Sequence, residues 1–106
     1  MSVFSRRQKL ESMLDSDPTD RMLRYMLALE LEKEGNHDRS LELLNGLMSD
    51  LIPYVPAFVM AGQQLTRLGR IDAARSCFQT GIQQAQQQND AHASGEMQEF
   101  LRNLPS

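Results

Sequence analysis

Two stretches of this chain, LALELEKEGNHDRSLELL at residues 27–44 and AGQQLTRLGRIDAARSCF at residues 61–78, align without a gap. Gly35 falls on Gly69, 34 residues further on, with Ala28 on Gly62, Leu31 on Leu65, Asp38 on Asp72, Ser40 on Ala74 and Leu44 on Phe78. Self-similarity at such a period marks stacked supersecondary units, each too small to bury its apolar face alone. In both copies a glycine separates two segments whose apolar residues recur every three or four positions. That is the pattern of a helical hairpin, with glycine taking the left-handed backbone between helices.

Working outward, Asp17-Pro18 offers an N-cap followed by a first-turn proline, with Asp20 three residues on, so a helix is expected to begin there. Eight of the ten residues from Met22 to Leu31 are apolar, too many for one stripe. Leu23, Leu27 and Leu31 make one stripe, and Met22, Tyr25 and Leu29 a second beside it. After Gly35-Asn36, Leu41, Leu44, Met48 and Leu51 predict a helix reaching toward Pro53. A fourth helix is expected from about Pro56 to Gly69, and a fifth on Ile71, Ala74, Phe78, Ile82 and Ala85, whose glutamine-rich end reads as a solvated face. Asp90 caps a last amphipathic helix bearing Ala93, Met97, Phe100, Leu101 and Leu104. The fold class is therefore all-α, a helical-hairpin repeat of about six helices with N-terminal and C-terminal flanking helices.

The second copy resembles the tetratricopeptide repeat (TPR) family. Phe58, Ala61, Gly62 and Leu65 stand where that family places its first-helix residues, and Ala74, Phe78 and Gly81 match the following helix. The first copy follows with Leu27, Ala28, Leu31, Ser40, Leu44 and Leu47, while Leu10, Met13 and Pro18 fit the end of a preceding copy. Neither copy has the family's closing proline in register, Ile52 and Gln86 standing there. The resemblance implies an alpha solenoid forming a single domain over 1–106. Within it an N-terminal helix covers 3–16, repeat one 21–54, repeat two 55–88 and a C-terminal capping helix 90–104.

Composition limits the function. The 106 residues suit one domain of about 100–200 residues. Eleven Lys and Arg against fourteen Asp and Glu give a net charge of −3, which argues against nucleic-acid partners and anionic membranes. The opening MSVFSRRQKL has no apolar run of leader length, and no stretch approaches the roughly 18 apolar residues of a membrane span. A cytoplasmic protein is expected. Charge is uneven along the chain: residues 17–52 carry eight acids and four bases, residues 53–88 one acid and three bases.

Chemistry is sparsely provided for. Catalysis needs a nucleophile or base beside a partner, or a metal with three or four ligands. His37 reads as a solvated turn residue, His92 and Glu96 as a surface pair four apart, and Cys77 as a partly buried, inert thiol. Most of the seven Met residues read as packing. No phosphate-binding, dinucleotide-binding or hydrolase motif occurs. No catalytic residue, metal or cofactor is expected, and a small enzyme or metal protein is the remotest alternative.

Function then rests on surface. In the family this chain resembles, the first helix of each pair lines a concave groove that holds a peptide or partner helix. That implies Met22, Tyr25, Leu29, Glu32 and Lys33 from one copy and Pro56, Val59, Gln63, Thr66 and Arg67 from the next. The lysines and asparagines with which one branch of the family grips a chaperone's C-terminal carboxylate are replaced by Tyr25, Leu29 and Met60. An apolar groove edged by Arg67 is expected, binding a protein or peptide, or else a second copy in a homo-oligomer.

Overall fold

The computed structural model describes residues 4–105. They contain six helices and no strand: α1 (Arg6–Ser16), α2 (Arg21–Lys33), α3 (His37–Met48), α4 (Val55–Arg67), α5 (Ile71–Gln87) and α6 (Ala91–Arg102). They fall into two compact units, the first ending at Leu47 and the second beginning at Met48.

Helix ends follow from local chemistry. Ser5 caps α1 with a reciprocal box, its hydroxyl accepting from the Gln8 amide at 3.1 Å while its own amide donates to Gln8 Oε1 at 2.9 Å. The N-terminal helix thus starts at Arg6 rather than residue 3, which lies outside the described residues. The expected cap at Asp17 is corrected: Asp17 ends α1, its carbonyl accepts from the Asp20 amide, and Asp20 caps α2 through the Leu23 amide at 2.9 Å. Gly35, Gly69 and Asn89 all have positive φ, at 83°, 76° and 61°. Each is followed by an amide that reaches back across the last turn: Asn36 to the Leu31 carbonyl, Arg70 to Leu65 and Asp90 to Ala85.

Two further expectations are overturned. The third helix stops at Met48, and Leu51, which the periodicity placed on its stripe, is 100% exposed. Pro53 pushes Ile52 out of helical geometry and so bars a longer helix, but the turn has already begun at Ser49. His37 is not a turn residue: it opens α3 and is half-buried.

In the first unit Leu10, Leu27 and Leu31 form the buried cluster, with Leu14, Leu23, Met26 and Leu43 packed against it. The buried Ser40 hydroxyl donates to the Ala28 carbonyl at 2.6 Å, fastening α3 to α2. Charge ties the rims. Arg7 pairs with Glu11 and, at 2.8 Å, with Glu34, while Arg39 reaches Glu11 at 3.3 Å.

The second unit is packed around rings and small residues. Val55, Phe58, Ala74, Phe78, Ala85, Ala93 and Met97 are its buried core. Gly62 lets α4 close onto α5: a β-carbon there would lie 2.3 Å from the Phe78 ring. Gly81 does the same for Phe58 and Met97, each 2.6 Å from where its β-carbon would be. The α6 helix completes this unit, with Phe100 stacked on Phe78 at 5.6 Å between ring centroids.

Candidate functional site

The two families of predicted contact residues lie in different units. On α2, Leu27 and Leu31 are buried and Leu23 packs beside them, which accounts for one stripe. The second stripe is only partly accessible: Met22 is 62% exposed, Tyr25, Leu29 and Glu32 are half-buried, and Lys33 is exposed. Lys33 lies 3.8 Å from Glu30. The abundance of apolar residues on α2 thus divides between a core face and an accessible one.

On α4, Pro56, Val59, Gln63 and Thr66 are half-buried and Arg67 is exposed. Val59 leans on the core cluster. Thr66 uses its hydroxyl within its own helix, donating to the Gly62 carbonyl at 2.8 Å. Gln63, Thr66 and Arg67 share one open cleft of about 210 Å³ with Phe78, Phe100, Asn103 and Leu104. The residues from α6 and the loop after it were not among those expected to line a groove, because that helix was assigned wholly to covering the end of the stack. On that helix Met97 is fully buried against α5, while Phe100, with Leu104 after it, remains partly accessible beside α4. The exposed Leu51 and Ile52 also contradict a purely internal use of the apolar residues in this unit.

The polar chemistry is inward or at the surface. The Cys77 thiol donates to the Phe58 carbonyl at 3.4 Å, and burial pushes it up to about 11. A thiol so protonated at neutral pH is a poor nucleophile. His92 and Glu96 are exposed on α6, and among the described residues no three His, Cys, Asp or Glu side chains gather as a metal site would need. No described helix is long and apolar enough to cross a membrane.

No protein-family model and no curated protein matches the sequence. Solved structures do. A tetratricopeptide repeat domain protein from Salinibacter ruber is 32% identical and superposes with a TM-score of 0.75, over 80% of this chain and 86% of that one. A protein from Bordetella parapertussis is 26% identical with a TM-score of 0.79, over 94% of this chain and 87% of that one. With the 34-residue period, the hairpin glycines and the close α4–α5 contact at Gly62 already in place, this likeness shows that the chain belongs to the tetratricopeptide repeat family.

Proposed function

We propose that this protein is a non-enzymatic interaction module of the cytoplasm, binding a peptide or partner helix on the accessible faces of its first helices. The residues that carry it are Met22, Tyr25, Leu29, Glu32 and Lys33 on α2, and Val59, Gln63, Thr66 and Arg67 on α4. One observation supports this above the rest. On the second apolar stripe of α2 Met22 is 62% exposed, and Tyr25 and Leu29 beside it keep part of their surface accessible. The open cleft beside Gln63, Thr66 and Arg67 supports the same use of α4.

Leu29→Lys tests the reading. Half-buried at the surface, a lysine at 29 can extend its charge into water and spare the fold, whereas in an interface it would have to be desolvated. The expected result is an unchanged helical spectrum and cooperative melt, together with loss of the partners captured by the wild-type protein from its native cell extract. Undiminished capture would place the interface elsewhere.

The uneven charge favours a second reading, self-association through the same faces, since an acidic segment can pair with a basic one in another copy. Sedimentation at several concentrations and salt levels separates the two readings. A dimer that dissociates with added salt and with Leu29→Lys supports self-association.

A further inference from the structure

The connector of residues 49–54 turns its apolar side chains outward: Leu51 is 100% exposed and Ile52 61%. Its backbone is nonetheless tied down. Pro53 confines Ile52 to extended geometry, the Pro53 carbonyl accepts from the Gln88 side chain at 2.8 Å, and the Tyr54 carbonyl accepts from the Ala57 amide at 3.0 Å. Side chains presented on so fixed a connector can enter a contact with little further ordering.

A hole lies at the other end of α4. The cleft of about 210 Å³ between α4 and the end of α6 is lined by Phe100 and Leu104 on its apolar side and by Thr66 and Arg67 on its polar side. It is smaller than the roughly 300 Å³ at which small-molecule pockets begin, a size that suits one or two aliphatic side chains. The Arg75 guanidinium donates to the Pro105 carbonyl at 3.0 Å and fastens the segment that bears Leu104. Arg67 is the one charged residue in the cleft lining among the described residues, and Arg102, just before the lining Asn103, is paired with Glu99. On the connector the one charged residue is Asp50, beside Leu51. Knob and hole thus carry opposite charges within the second unit, about 20 Å apart along the 13 residues of α4.

We propose that two copies of this chain pair two-fold along antiparallel α4 helices, Leu51 of each entering the α4–α6 cleft of the other. Reversing one α4 against the other brings each connector to the opposite cleft, so both contacts form at once, as an isologous interface requires. Asp50 of one copy then meets Arg67 of the other. Between the two ends lie the half-buried Pro56, Val59 and Gln63, at three-four spacing on α4. The complementarity is contained in one chain, which favours a second copy over a foreign helix. This exchange rests on the reading of the α4 face as an interaction surface and names its occupant.

Sedimentation equilibrium over a concentration series should show a dimer and no larger species. Leu51→Asp spares the fold, since that side chain is wholly in water, and should weaken the dimer about tenfold or more by setting a charge in the apolar cleft. Leu104→Glu should do the same from the other side. Each variant keeps the half that the other lacks, so an equimolar mixture should form heterodimers, read by energy transfer between labelled copies, with an affinity between those of wild type and either variant. That rescue separates recognition from misfolding. Arg67→Glu should weaken the dimer less, and Asp50→Lys in the same chain should restore it. Four results overturn the proposal: a wild type that stays monomeric up to about 1 mM, a wild type that grows beyond the dimer, Leu51→Asp that pairs as tightly as wild type, or a mixture that pairs no better than its components. Leu29→Lys should leave this dimer intact. A dimer that yields to Leu29→Lys and not to Leu51→Asp would place self-association on α2 and overturn the α4 exchange alone.

Discussion

The first unit gathers three leucines, Leu10, Leu27 and Leu31, and surrounds them with ion pairs joining α1 to the end of α2 and the start of α3. Ring packing dominates the second unit, where Phe58, Phe78 and Phe100 meet Gly62, Gly81 and Met97. Both units are built from helices of the same repeat. Their difference teaches that the repeat fixes where helices begin and cross, while the kind of attraction across the crossing is free to vary. One unit should therefore respond to changes of volume and the other to changes of charge.

The largest effect should come from Phe78→Ala. The ring is 1% exposed and touches α4 and α6, so its loss should cost about 3–5 kcal/mol, as truncated core aromatics do. Chemical denaturation followed by circular dichroism would measure it; a loss no larger than that of a surface substitution would show the second core to be looser than drawn.

Gly62→Ala comes next and tests the crossing itself. Alanine favours a helix interior by roughly 1 kcal/mol over glycine, yet here its methyl would meet the Phe78 ring. Overpacking of about 1–3 kcal/mol should offset that gain and leave the variant less stable. A stabilised Gly62→Ala would mean that α4 and α5 can separate at no cost. In Gly62→Ala/Phe78→Leu the smaller side chain should recover part of the loss.

Alkaline titration gives a third, smaller contrast. Burial raises the Cys77 thiol in the folded chain from an ordinary 9 to about 11. The unfolded chain therefore loses its proton first as pH rises, so the contribution is complete below pH 9 and disappears between 9 and 11. Linkage sets its size at roughly 3 kcal/mol. The alkaline decline in stability should be flatter in Cys77→Ala once its constant packing loss is subtracted. Parallel curves would show that the thiol is not desolvated.

The smallest effect belongs to the first unit. Hydrogen bonding from Arg7, then from Arg39, holds the Glu11 carboxyl below its ordinary range. Its stabilisation is present above that range and is lost as pH falls through it. Glu11→Gln should lower the melting temperature slightly, and the difference from wild type should shrink in about 1 M salt, where screening acts within roughly 3 Å. A salt-independent difference would assign the effect to packing instead.

Much of this was legible in the sequence because repeats write distance as number. The 34-residue offset and the glycines at 35 and 69 placed the hairpins, and the four-residue spacing of Leu23, Leu27 and Leu31 picked the core side of α2. Choices between equally competent neighbours were not legible. Asp17 and Asp20 can both cap a helix, and only the turn between them selects Asp20. Leu51 continues a helical stripe on paper, though the helix has already ended at Met48. Of the candidate contacts, those on α4 were proposed from alignment. Phe100 and Leu104 were not, since their place beside Thr66 arises from how α6 meets α4 and not from any spacing along one helix. Met13 and Met22 stand exposed, apart from Met26, Met48, Met60 and Met97, which are half-buried or buried.

The lone thiol gives the molecule a built-in reporter. Cys77 is the only cysteine in the chain and lies where α5 meets α4. Because the thiolate is the species that reacts, a group held near 11 offers a reagent at pH 8 roughly one thousandth of its population. In the folded chain the half-buried thiol is shielded both by its protonation and by α4, so lifting of α4 from α5 should speed its alkylation.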